Sequence, residues 1–150
     1  MNLDRFAEKQ KASSSTPQGY IKLDTGIMSL DELNLMLKHL PVDITFVDKD
    51  DAVKYFSQTK DRIFIRSESI IGRKVQNCHP PASVHIVEKI LDDFKKGVRD
   101  VAEFWIQMKG MLVYIRYFAV RDNDGSYVGT LEVTQDIKPI KEIEGEKRLL

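Results

Sequence analysis

Cysteine is nearly missing from this chain, with Cys78 alone among 150 residues. No intramolecular disulfide can form, so a stapled secreted scaffold is excluded. An excess of one charge is missing too, because Lys plus Arg and Asp plus Glu are 23 each and the formal net charge is zero. A protein that grips nucleic acid by neutralising phosphates, or a membrane surface through a polybasic patch, needs a cationic surplus this chain does not have. No apolar run approaches the roughly 20 residues of a membrane span, and no apolar stretch with a cleavage site opens the chain. The expected location is the cytoplasm. There is also no glycine-rich phosphate loop, nucleophile elbow, zincin helix or CxxC pair. What remains is one domain's length of chain, long enough to bury roughly 68–70% of its unfolded surface without metal or disulfide.

The apolar residues that are present fall into clear periods. Residues 1–19 are polar, with Leu3, Phe6 and Ala7 the only hint of a helical turn, and Lys11–Gly19 has linker composition, so a flexible tail is expected. An N-terminal helical extension follows over 20–41. Ser29 and Glu32 have capping-box spacing, Leu30, Leu33, Met36, Leu37 and Leu40 recur at helical intervals, and Pro41 ends the run. Thr25-Gly26 reads as the turn before that helix. Asp43–Asp48 and Val53–Ser57 predict a hairpin around the polar turn Lys49–Ala52. Gln58–Ser67 reads as an irregular connection with a short helical turn, with a strand at Ile63-Phe64-Ile65 as the alternative.

A second helix is expected from Ala82 to Lys96, with Pro80 and Pro81 suited to its start and Gly97 to its end. Its apolar stripe is Val84, Val87, Ile90, Leu91 and Phe94. Three longer strands, Val101–Lys109, Leu112–Arg121 and Tyr127–Gln135, are separated by the turn signals Lys109-Gly110 and Asp122–Gly125, which predicts an antiparallel meander. In the first strand Ala102, Phe104, Ile106 and Met108 share one face. Trp105 sits on the other, otherwise polar face, which suggests that this face is partly covered; the Leu30–Leu40 helix is the expected cover. Two strands, one helix, then three strands is an α+β order.

Ile71-Gly72-Arg73-Lys74 followed by His79-Pro80, then Trp105–Gly110, Arg121–Gly125 with Gly129, and the closing Asp136-Ile137 together resemble the PAS domain, a sensor module. The likeness spans about Pro41 to Lys138, with Lys138 where the usual closing Thr would stand. It implies a five-stranded antiparallel sheet with one long helix and short connecting helices on one face, and the N-terminal amphipathic helix on the other. The sensor would occupy 42–138 and a charged tail 139–150. Asn77–Pro81 with Ser83–Glu88 resembles a narrower bacterial group in which the PAS domain follows a hemerythrin-like helical domain, so such a domain is an expected partner in a longer protein.

The resemblance implies a non-catalytic sensory or interaction module. A small ligand would sit between sheet and helix, against Phe56, Ile65, His79, Ile90, Phe94, Phe104, Ile106 and Tyr117; the alternative is a filled core. Leu33, Leu37, Leu40 and Trp105 are the expected cover and homodimer surface. Cys78 and His79, with His85 further on, offer thiolate and imidazole ligands for haem or another metal, against the ordinary reading of His79 as the His of a His-Pro helix start. Asp24-Thr25-Gly26 is the aspartic-peptidase triplet, but a capped helix and Pro41 follow it where strands and a flap belong. Asp122-Asn-Asp-Gly125 begins like a calcium loop but runs into strand formers, so it reads as a hairpin turn.

Overall fold

The computed structural model describes residues 19–150, so the tail expectation, with Leu3, Phe6 and Ala7, lies outside the described residues. Two compact units divide at Leu40 and Pro41.

The first unit holds more strand than the sequence announces. β1 (Tyr20–Leu23) and β2 (Gly26–Ser29) pair antiparallel around Asp24-Thr25, and α1 (Leu30–Lys38) follows directly. The turn is therefore Asp24-Thr25, between strands, and Gly26 opens β2, a correction both to Thr25-Gly26 as the turn before the helix and to a purely helical extension. Four-residue strands are too short to show an alternation that distinguishes them from loop. Ser29 ends β2 and also caps α1. Its hydroxyl accepts from Glu32 N at 2.9 Å and its own N–H donates to Glu32 Oε1 at 2.8 Å, so two otherwise orphaned amides are satisfied. His39 Nδ1 lies 2.7 Å from Leu35 O at the other end.

The second unit is the expected sheet. β3 (Asp43–Asp48), β4 (Val53–Phe56), β5 (Val101–Met108), β6 (Met111–Arg121) and β7 (Tyr127–Asp136) lie in the order β4-β3-β7-β6-β5, every pair antiparallel. Single 3₁₀ turns at Glu68–Ile70 and Val75–Cys78 lead into α2 (Pro81–Lys96), and a last helical turn, α3 (Lys138–Lys141), follows β7. Pro81 opens α2 and Gly97, at φ 72°, closes it in the left-handed conformation that a Cβ disfavours. The buried residues of α2 are Ile90, Leu91, Asp93 and Phe94. Ile90 and Phe94 pack with Ala102, and Tyr117, Ala119 and Tyr127 close around them.

The segment from Ile71 to Val75 runs along the β3–β4 turn. Gly72 N donates to Val53 O at 2.7 Å, Val53 N to Arg73 O at 3.0 Å, and Val75 N to Asp51 O at 2.8 Å. Asp48 Oδ1 organises the turn itself by accepting from the amides of Asp50 and Ala52. Asp51 then reaches away from it, pairing with Lys95 of α2 at 2.8 Å and accepting from Gln76 Nε2 at 3.0 Å. At the far end, Asp136 Oδ1 accepts from Leu112 N at 3.1 Å and Lys138 N at 3.0 Å, tying the close of β7 to the start of β6.

Candidate functional site

Register decides what meets the helix. One row of side chains crosses the inner face of the sheet as Phe56, Thr45, Glu132, Tyr117 and Ala102, on β4, β3, β7, β6 and β5. The row on one side runs Val53, Val47, Thr130 and Ala119, and the row on the other runs Asp43, Thr134, Ile115 and Phe104. The two central strands therefore turn Asp43, Thr45, Thr130, Glu132 and Thr134 inward, and all five are buried. Alternation along β7 puts Leu131 and Val133 on the opposite face. A half-solvated strand would be expected to face its apolar set inward and its Thr-Glu-Thr set outward. Here the polar set faces the helix, and Val133 on the other face is buried as well.

Buried polar groups need partners. The irregular segment between β4 and the first 3₁₀ turn supplies many of them. Asp43 accepts from Ile63 N at 2.7 Å and from Thr59 Oγ1. Arg62 donates to Ser57 O at 2.7 Å, Phe64 O at 2.9 Å and Thr45 Oγ1 at 3.0 Å, and its guanidinium lies 5.3 Å from the Phe56 ring centroid. Arg62 is thus fully used in holding this segment against β3 and β4.

Arg66 is not. Its Nη2 lies 3.5 Å from Glu132 Oε1, too long for a charge-assisted hydrogen bond, and its Nε is buried with no hydrogen-bond partner among the described residues. Among the described residues Glu132 receives only a 3.3 Å bond from Thr134 Oγ1. Tyr117 and His79 feel both charges. Burial first, and Glu132 second, push the Tyr117 hydroxyl well above its ordinary pKa, so it stays a donor. Burial lowers the His79 pKa, Glu132 opposing and Arg66 assisting, so the ring is held toward its neutral form. Neither side chain hydrogen-bonds another described residue.

Of these groups Glu132 and Tyr117 stand on the wall of a crevice between α2 and the sheet, and Arg66 lies behind Glu132, outside the lining. The crevice is lined by Val47, Val75, Val87, Ile90, Leu91, Tyr117, Thr130 and Glu132. Counted out to its mouth it contains about 350 Å³ of atom-free space, but only about 20 Å³ admits the centre of a water-sized sphere, room for about one water. A haem or flavin does not fit this geometry.

Of the residues expected to line a site, Ile90 and Tyr117 do so, and His79 stands half-buried within the field of Glu132 and Arg66. Phe56 is buried at the row's end beneath Arg62, and Phe94, 0% exposed, is core packing. Phe104 and Ile106 lie on edge strand β5 at 39% and 41% exposure, Phe104 meeting Tyr117 edge-on at 6.1 Å. Ile65 is a correction: at 94% exposure it points to solvent, because neighbouring Phe64 and Ile63 give their backbone groups to Arg62 and Asp43. Trp105, expected beneath a cover, is 64% exposed and tilted against Tyr114. In α1 no residue is buried, and Leu33, Leu37 and Leu40 are half-buried.

The metal reading gains no geometry. Cys78 Sγ lies 3.7 Å from Lys74 O, His85 is exposed, and no three His, Cys, Asp or Glu side chains gather as a metal set among the described residues. Asp24 is an exposed turn residue. Asp122–Gly125 is a hairpin turn, with Asp122 Oδ1 accepting from the amides of Asp124 and Ser126 at 2.9 Å each. Sequence reasoning missed Glu132, Arg66, Thr130 and Val75. The one available signal was the Thr-Glu-Thr alternation in a strand that the turn spacing makes central.

The family profile described as PAS domain matches residues 33–138. Among solved structures, the C-terminal domain of a Streptococcus mutans protein is 39% identical, covers 83% of this chain and 97% of its own, and superposes with a TM-score of 0.77. The PAS domain of Bordetella pertussis BvgS (16% identical, 73% and 86% covered, TM-score 0.54) and one from Colwellia psychrerythraea (16%, 73% and 98%, 0.53) share the fold. No curated protein matches. No described helix is long and apolar enough to cross a membrane. By sequence profile, strand order and a close structural relative, this chain belongs to the PAS domain family.

Proposed function

We propose that this PAS domain is a non-catalytic cytoplasmic sensor that takes a small ligand, or a partner, at the crevice between α2 and the polar inner face of the sheet. One observation carries the reading. Glu132 and Tyr117 line the crevice with hydrogen-bonding capacity unspent, and Arg66 stands 3.5 Å from Glu132 with its buried Nε unpaired among the described residues, whereas the neighbouring Arg62–Asp43 network is saturated. Interiors seldom leave such groups unpaired without a use. Occupancy would shift α2 against the sheet, and the flanking α1 and the segment after Asp136 would pass that change on. The exposed apolar positions of α1 and the Trp105 face support a homodimer. The Streptococcus mutans relative, itself described as a C-terminal domain, supports an upstream domain in a longer protein, for which a hemerythrin-like bundle is our candidate.

Native mass spectrometry of freshly purified protein tests both parts. A peak above the 17.3 kDa chain mass that reverts on mild unfolding supports a ligand, and a peak at twice that mass supports the dimer. A bare single chain at micromolar concentration, unshifted by incubation with a small-molecule extract, would refute the ligand and dimer parts together.

A further inference from the structure

The chemistry at the head of the crevice narrows what the ligand can be. One wall offers a carboxylate, Glu132, that can only accept. Within 3.5 Å of it stands a guanidinium, Arg66, whose buried Nε has nothing to donate to among the described residues. Tyr117, whose hydroxyl is protonated and also without a described hydrogen-bond partner, lies beside Glu132 in the same cross-strand row. The two formal charges cancel. A lone anion would meet Arg66 and Tyr117 but be set against Glu132, and a lone cation would meet Glu132 but be set against Arg66. Either leaves an uncompensated charge in a poorly solvated site. A head group with an acceptor and a donor side by side and no net charge satisfies all three. The remaining lining is Thr130, whose hydroxyl pairs with that of Tyr127 at 2.8 Å, and the aliphatic Val47, Val75, Val87, Ile90 and Leu91, so the body must be short and branched or slender.

We infer that the crevice binds a small, net-neutral molecule with a short aliphatic body, whose acceptor meets Arg66 and Tyr117 and whose donor meets Glu132. The carboxylate and ammonium of a small apolar amino acid supply this chemistry, and so does a primary amide. The inference rests on the ligand-binding reading proposed above. Because the crevice admits about one water, the body enters only as Val87 and Leu91 draw back, which makes α2 the element that registers occupancy.

Four probes with the same isopropyl end separate the cases: L-valine, 3-methylbutanamide, 3-methylbutanoate and isobutylamine. Each is titrated into the whole chain by calorimetry and by thermal unfolding, with wild type, Glu132→Gln and Tyr117→Phe. The expected result is that valine, the amide or both bind, and that the acid and amine bind at least about tenfold more weakly. Which of the two net-neutral probes binds identifies the source of the head group. In Glu132→Gln, Arg66 loses its counter-charge, so the acid should overtake valine; in Tyr117→Phe the net-neutral probes should weaken severalfold with their order unchanged. If the acid or the amine binds wild type as well as the neutral pair, or Glu132→Gln leaves the ranking intact, the head-group inference is overturned while ligand binding stands. If none of the four binds and native mass spectrometry shows a bare chain, ligand binding itself falls. Should circular dichroism show Glu132→Gln unfolded, the wild-type ranking together with Tyr117→Phe decides.

Discussion

Replacing Gly129 by alanine should destabilise the domain through a specific collision. A Cβ built at Gly129 would lie 2.4 Å from Val47 O and 2.6 and 2.8 Å from Cζ and Cε2 of Phe46. The Phe46 ring can turn aside at modest cost. The Val47 carbonyl cannot, because it belongs to β3 where that strand pairs with β7, and Asp48 stands opposite Gly129 in the register. Relief requires the two central strands to separate by several tenths of an ångström. Overpacking of this kind typically costs about 1–3 kcal/mol, and a backbone obstacle places it toward the upper end. Against it stands the gain of about 0.4–1 kcal/mol from a less flexible unfolded chain. The net expectation is a loss of about 2 kcal/mol. For a domain this size that lowers Tm by roughly 5–10 °C and moves the urea midpoint with the m-value unchanged. Pairing the change with Phe46→Ala separates the two obstacles: removing the ring should recover less than half of the strand-separation cost. A Gly129→Ala protein within about 0.5 kcal/mol of wild type would refute the reasoning, because the strands would then have given way freely.

Three other outcomes are expected. Phe94→Ala, which empties a fully buried site against Ile90 and Ala102, should cost about 3–5 kcal/mol in urea unfolding; a loss under about 1 kcal/mol would mean that the α2–sheet core is not where stability resides. Asp136→Ala removes the acceptor of the Leu112 and Lys138 amides and should cost about 1 kcal/mol, with faster hydrogen exchange at those two amides and little change in α2. For His79 the sign follows from its lowered pKa. Between the folded and unfolded values the unfolded chain binds the extra proton, so stability is full above about pH 6.5 and declines as pH falls below it. His79→Gln should flatten that part of the profile, and an NMR titration placing His79 at or above 6.5 would contradict it.

The elements that declared themselves in the sequence are those with enough length for a period to repeat. α2 carries five apolar residues at three- and four-residue spacing between Pro81 and Gly97, and its ends in the structure are set by those two residues. The three long strands are bounded by Lys109-Gly110 and Asp122–Gly125, whose positive-φ residues Lys109, Gly110 and Gly125 make the turns. Ser29 and Glu32 were readable because a capping box is local. The β1–β2 hairpin was not, because its two strands of four residues each carry almost no alternation. The site was legible only in its apolar half. Ile90 and Tyr117 follow from burial logic, but Arg66 reaches Glu132 from a segment with no regular structure, 66 residues away along the chain. No pattern at a local period encodes that meeting. The inward turn of Thr130, Glu132 and Thr134 ran against the usual preference of polar residues for the solvated face, so a rule that serves most strands pointed the wrong way here.

The carboxylate of Asp51 has a mechanical consequence. With Lys95 on one oxygen and Gln76 on the other, and with Arg121 donating to Phe94 O at 2.7 Å, the last two turns of α2 are fastened to the hairpin and to the long strand at once. The first two turns, Pro81 to Glu88, carry no buried residue. The helix is thus anchored in its second half and presents no buried residue at its His-Pro start. If α2 moves on ligand binding as proposed, that start has the least buried surface to release, so labels placed on Ala82 or His85 would report the motion best.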